Sequence, residues 1–136
     1  MISSYNSTTQ TVDSGAAYVF DTNRIVTGCT VGHVAGTSTF TLNKPGYYYV
    51  TFNTTFTTDA TGEATVELQN GGILVPGATG TETIATAGAT TSISFATIIK
   101  VLPSCPAVNN TATLTFVSTG IALDASVSNV NITKLC

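Results

Sequence analysis

Pro45-Gly46-Tyr47-Tyr48-Tyr49-Val50-Thr51-Phe52-Asn53-Thr54-Thr55-Phe56-Thr57 is the longest unbroken strand signal in the chain. Proline fixes its own φ and glycine tolerates positive φ, so Pro45-Gly46 marks a start. Only aromatic, β-branched and small polar residues follow, the types that suit a pleated, half-buried surface. Successive side chains on a strand point to opposite faces. Tyr48, Val50, Phe52, Thr54 and Phe56 therefore form one face, which reads as core. Tyr47, Tyr49, Thr51, Asn53 and Thr55 form the other, which is amphipathic.

The same alternation organises the rest of the chain. Residues 1–15 are polar and read as an N-terminal arm with one weak strand over 10–12. Residues 16–20 read as a short strand closed by the turn cluster Asp21-Thr22-Asn23, and 24–27 as a short extended piece. Strands over 28–34 and 37–42 meet at Ala35-Gly36. Val66 and Leu68 share one face of a strand over 64–69. Asn70-Gly71-Gly72 is a hairpin signal, because a type I′ turn needs positive φ at both central residues. Pro76-Gly77 is expected to end the returning strand 73–75, with a separate strand over 81–86. Residues 91–102 are the second-longest strand signal, with Ile93, Phe95, Ile99 and Val101 on one face. Strands over 111–117 (Leu114 and Phe116 inward) and 125–135 (Val130 and Ile132 on one face) complete the chain. No stretch repeats with a helical period of 3.6. Eight to ten short strands separated by frequent glycine turns predict an all-β antiparallel sandwich or barrel.

Composition narrows the function. The chain has 136 residues, one domain by length, and can bury a core without staples. Hydrophobic residues are 43% and charged residues only 8%, where an ordinary soluble domain has about a quarter charged. Threonine, serine and asparagine supply the polarity, as in rigid extracellular or virion β proteins. Seven acids against four scattered bases (Arg24, Lys44, Lys100, Lys134) give a net charge of −3. That excludes the clustered cations that nucleic acid or an anionic membrane surface requires. No apolar run reaches membrane-helix length, and residues 1–6 carry no signal-peptide pattern.

The chemistry searched for is sparse. His33 is the one histidine; a nucleophilic triad would need an activated Ser or Cys and an orienting acid beside it, and Cys29 is not aimed at it from four residues away on a strand. Glu63, Glu67 and Glu82 lie at turns or solvent-facing positions, not as a facing pair. Asp21 with Asn23, or Asp59 near Glu63, reads as turn chemistry before calcium chemistry. No cofactor or metal site is expected, and no enzyme. Cys29, Cys105 and Cys136 match no zinc spacing. They read as free thiols, or as one bridge between Cys105 and Cys136, or as an inter-subunit bridge at Cys136. The Tyr47/Tyr49 face has three readings: a subunit interface, a carbohydrate or receptor contact, or a sheet face covered by a loop.

Pro45-Gly46-Tyr47-Tyr48-Tyr49-Val50-Thr51-Phe52, Val66-Glu67-Leu68-Gln69-Asn70-Gly71-Gly72, the long strand within 92–101 and a last strand at the C-terminus resemble the jelly rolls of the tumour necrosis factor and complement globular-head superfamily. The closer likeness is to bacterial and phage types, such as the heads of collagen-like exosporium glycoproteins and short stand-alone phage proteins. The resemblance covers residues 16–135 and implies a ten-stranded jelly roll over 16–136 that forms a homotrimer. It places Tyr47, Tyr49, Thr51 and Phe56 at the trimer interface. The chain lacks a collagen stalk and an N-terminal targeting segment, which favours a virion component. The expected role is a non-enzymatic phage capsid decoration or head-fibre protein on the virion surface, with residues 1–15 docking on capsid protein. The alternatives are a phage-tail or cell-surface adhesin for host glycan or receptor, and a spore exosporium surface protein.

Overall fold

A computed structural model describes residues 1–103 and 111–135. The described residues form eleven strands: β1 (Ile2–Asn6), β2 (Gln10–Val12), β3 (Thr22–Val26), β4 (Val31–His33), β5 (Phe40–Leu42), β6 (Gly46–Thr57), β7 (Gly62–Asn70), β8 (Ile73–Ile84), β9 (Thr91–Val101), β10 (Ala112–Ser118) and β11 (Leu123–Lys134). One sheet runs β3-β1-β11-β6-β9, with β2 also paired to β11; the other runs β4-β5-β10-β7-β8. The ladders are antiparallel, and the two sheets pack as a jelly-roll sandwich.

The opening stretch becomes β6, between β11 and β9. Its inner face is the expected one: Tyr48, Val50, Phe52, Thr54 and Phe56 are all buried. Phe52 holds the centre of the core. Its ring stacks on Phe116 at 4.8 Å and 13°, meets Tyr18 edge-on at 5.2 Å, and lies 5.3 Å from Phe95. Offset and edge-on pairs match the ring quadrupoles and add to area burial. The buried Tyr18 hydroxyl has no hydrogen-bond partner among the described residues. Burial pushes its pKa up to about 12, against a smaller pull from the nearby Thr54 hydroxyl.

Four expectations are corrected. Phe56 is fully buried within the protomer, so its side chain belongs to the core and cannot reach a neighbour across an interface. Residues 1–15 are not a free arm: β1 pairs with both β11 and β3, β2 pairs with β11, and Ile2 and Val12 join the core. This segment reads as solvated because Ser3, Ser4 and Asn6 are polar, yet all three are buried; the ladder satisfies their backbone, and Asn23 accepts from the Ser4 hydroxyl at 2.7 Å. Asp21-Thr22-Asn23 does not close a strand but leads into β3, while residues 17 and 20 make only isolated bridges. Pro76-Gly77 does not end a strand either. β8 runs through it at the edge of its sheet, where a missing N–H costs no ladder bond. The register jumps there from Gln69↔Leu74 to Glu67↔Thr79, so β8 carries extra residues in a bulge, with Ala78 still buried in the core.

Two glycines matter to the geometry. Gly71 and Gly72, at φ 61° and 86°, make the two-residue connection between Asn70 and Ile73 that a type I′ turn requires. Gly120 lets the β10–β11 connection lie on the start of β7, where Thr119 N–H donates to Thr65 O and Ile121 N–H to Glu63 O, both at 3.0 Å. A Cβ at Gly120 would sit 2.2 Å from Glu63 O and 2.9 Å from Thr65 N. Both obstacles are backbone, so Gly120→Ala is expected to cost about 1–3 kcal/mol through overpacking. A urea midpoint equal to wild type would show instead that the turn moves aside freely.

The suggested Cys105–Cys136 bridge, and the one at Cys136 between subunits, fall on residues outside those described. Cys29 is exposed.

Candidate assembly surface

The outer face of the β6 sheet follows from register. Residues paired across an antiparallel ladder share a face. Tyr49 pairs with Ile98 and Thr133, Tyr47 with Lys100, Thr51 with Ala96 and Asn131, and Asn53 with Ser94 and Asn129. Tyr47 is 42% exposed, Tyr49 43% and Ile98 57%. Lys100 Nζ stands 5.5 Å from the Tyr47 ring centroid, a cation–π contact. Across β6, β9 and β11, register puts two charged residues on this face among the described residues: Lys100 beside Tyr47, and Asp124 opposite Thr57 at the far end of β6.

This apolar strip does not stop at the sheet edge. β9 ends one sheet and β8 ends the other, and the two lie against each other. Ile98 therefore shares an open depression of ≈ 360 Å³ with Ile73, Leu74, Pro76, Asn70 and Lys100. Ile73 is 74% exposed. Tyr47, Tyr49, Ile98, Ile73 and Leu74 thus make an apolar surface that turns a corner, from the face of one sheet to the edge of the other. Below the tyrosines the surface becomes neutral and polar: Thr51, Asn53, Ser94, Asn129 and Asn131 line a second depression, with Asn131 Nδ2 donating to Thr51 Oγ1 at 3.2 Å.

The outer face of the second sheet is chemically different. Glu63, Thr65, Glu67 and Gln69 of β7 stand opposite Thr83, Thr81, Thr79 and Leu74 of β8. Its polar groups bond one another: Gln69 Nε2 donates to Glu67 at 2.8 Å, and the Thr65 and Thr81 hydroxyls lie 3.2 Å apart. A face of partly and fully accessible hydroxyls, amides and carboxylates, some of them bonded to one another, is suited to water.

Of the residues expected at an interface, Tyr47 and Tyr49 lie exposed on one face, Thr51 is half-buried beside them, and Phe56 lies on the opposite, inner face. The sequence reading missed Ile98, Ile73 and Leu74. Ile98 was detectable: it is the large apolar residue out of phase with Ile93, Ile99 and Val101. Ile73 and Leu74 carried no such signal, because two adjacent apolar residues cannot both face one core.

His33 serves structure. Its ring stacks on Phe40 at 4.2 Å and 14°. Nδ1 lies 2.6 Å from Asn23 Oδ1 and Nε2 2.9 Å from Thr37 O, and Asn23 Nδ2 donates to the His33 carbonyl at 2.9 Å. This joins β3 to β4, the edge strands on the side away from β8 and β9. With both ring nitrogens engaged, the imidazole is not placed to act as a general base. Burial holds its pKa below 6.5, against a smaller opposing pull from the Thr37 carbonyl. Burial therefore favours neutral His33, whose single N–H satisfies only one of the two facing oxygens, while the second oxygen opposes that preference. Its contribution to stability is present above the unfolded value of about 6.5 and is lost as pH falls through the lower folded value. The melting temperature is expected to fall between pH 7 and pH 5 more for wild type than for His33→Gln; parallel curves would contradict this.

Asp21 is exposed; hydrogen bonds from the Ser7 and Thr22 hydroxyls lower its pKa. Among the described residues no group of three His, Cys, Asp or Glu side chains could hold a metal, and no helix is long and apolar enough to cross a membrane.

No protein-family model matches the chain, and no curated protein matches it in sequence. Solved structures match its fold. The Eiger TNF of S. frugiperda superposes with a TM-score of 0.71 at 10% identity, covering 99% of this chain and 92% of that one. Murine APRIL gives 0.65 at 10% identity, covering 96% and 98%. PRD1 vertex protein P5 gives 0.54 at 15% identity, covering 99% and 96%.

Proposed function

We propose that this chain is a non-enzymatic structural protein that assembles as a homotrimer and forms a module on a virion surface. The observation that carries the assembly is the contrast between the two outer faces. One is hydroxyl- and carboxylate-rich with paired polar groups; the other is aromatic and aliphatic around Tyr47, Tyr49 and Ile98, with Lys100 beside them and Asp124 at its far end. Exposed apolar surface of this kind, bordered by neutral polar residues, marks a protein contact.

The shape of the surface favours a ring. The tyrosine face and the β8/β9 corner are different patches, so one copy's corner seats on the next copy's face. Such head-to-tail contacts close into a cyclic oligomer when the rotation permits. Three is the closure that the resemblance to the tumour necrosis factor superfamily implies. The half-buried Thr51 and the asparagines below it extend the contact as a neutral polar zone, with no charge to desolvate.

The likeness to a vertex protein supports the virion-surface reading, and within it a capsid decoration or head-fibre role. The chain's low charge and threonine-rich strands suit a rigid exposed module. Residues 1–15 are anchored in the sheet through β1 and β2, and the exposed Ser7, Thr8, Thr9, Thr11 and Asp13 beside those strands are where this segment would meet a capsid protein.

Size-exclusion chromatography with light scattering should return three times the 13.9 kDa chain mass. A monomer at micromolar concentration would overturn the assembly. Capsid genes flanking the coding sequence would support the virion role; sporulation genes there would overturn it.

A further inference from the structure

Asn70-Gly71 is the one Asn-Gly step in the sequence, and the fold treats it in a particular way. Glycine has no Cβ, so its backbone nitrogen can approach the preceding side chain without hindrance. In a mobile chain the Gly71 nitrogen attacks Cγ of Asn70. A C–N bond forms to close a succinimide, the bond from Cγ to the side-chain nitrogen breaks, and that nitrogen leaves as ammonia with the proton from Gly71. Water then opens the ring at either carbonyl, giving aspartate or isoaspartate.

In the folded protein both partners in this reaction are held. Gly71 N–H donates to Thr113 O at 2.9 Å, which retains the proton that must be lost. Asn70 is in register with Ile73 of β8 on one side and Leu114 of β10 on the other, so its backbone is locked as extended strand. The two glycines after it stand in open space, since a Cβ added at either would find no atom within 4 Å, so the Gly71–Thr113 hydrogen bond and the two ladders are what hold the turn.

We propose that Asn70 is a latent deamidation site, closed by the Gly71–Thr113 hydrogen bond in the folded protein and open whenever the β7–β8 hairpin separates from β10. Because the product cannot revert, isoaspartate or aspartate at position 70 records the time a chain has spent with this hairpin open.

The test incubates the purified full chain at mildly alkaline pH, in buffer and in guanidinium chloride, and follows each asparagine by peptide mass spectrometry. Conversion at Asn70 is expected to be about tenfold or more faster in the denatured chain, the factor that ~1.4 kcal/mol of opening cost provides. In denaturant it should also outpace Asn53 and Asn131, which precede Thr54 and Ile132, and Gly71→Ala should slow it. Equal rates in the two solutions would overturn the protective role of the hydrogen bond. Equal rates at Asn70, Asn53 and Asn131 in denaturant would overturn Asn70 as the reactive site.

Discussion

Ile98→Asp and Tyr49→Asp are each expected to yield a folded monomer. Both residues are substantially exposed in the isolated protomer, so a carboxylate there meets water and disturbs no core contact. In the assembled protein the same carboxylate would face apolar neighbours without a partner. An unpaired charge buried at an interface costs on the order of 3 kcal/mol, over a hundredfold in association constant. Far-UV circular dichroism and cooperative melting should stay as in the wild type, while light scattering gives the single-chain mass. Two controls separate this from a general effect of added charge. Thr55→Asp, lower on the same face, should weaken assembly less than Tyr49→Asp. Thr81→Asp, on the paired hydroxyl face of the second sheet, should leave the oligomer intact. An Ile98→Asp protein with wild-type mass across a dilution series would remove Ile98 from the interface.

Phe52→Ala is expected to have the largest effect on the protomer itself. The ring is buried at the junction of both sheets and contacts Phe116, Tyr18 and Phe95. Truncating a buried phenylalanine removes its transfer free energy and leaves a cavity that rigid strands cannot collapse around, about 3–5 kcal/mol in total. That is a large part of the roughly 5–15 kcal/mol by which domains are stable. Phe95→Ala should cost less, because Phe95 is only partly buried. Assembly would add a concentration-dependent term to any apparent stability, so the comparison is cleanest in the Ile98→Asp background by urea denaturation. A Phe52→Ala cost below about 1 kcal/mol would mean that neighbouring rings refill the space.

The two experiments probe opposite faces of one sheet, and on β6 those faces were legible in advance. Tyr48, Val50, Phe52, Thr54 and Phe56 are buried and Tyr47 and Tyr49 exposed, as alternation along residues 47–56 requires. Hairpin β7–β8 was legible too, since Gly71 and Gly72 adopt the positive φ that the turn demands. Assigning Phe56 to an interface set its resemblance-based role against its own alternation, and the alternation was right.

What the chain determined by itself was therefore local: β content, the faces of its long strands, the Asn70-Gly71-Gly72 turn, and an apolar inner set suited to a sandwich or a barrel. Those properties follow from a two-residue period and from backbone sterics, which act between neighbours in sequence. Tertiary structure decided the rest. Polar residues 3, 4 and 6 were drawn into the sheet because pairing with β11 and β3 satisfies their backbone. Pro76 was tolerated inside β8 because that strand lies at an edge. The candidate assembly surface exists because β8 and β9, edge strands of different sheets, lie side by side and bring Ile73 and Leu74 to Ile98. No local pattern encodes that adjacency, since it depends on how the two sheets close over their shared core.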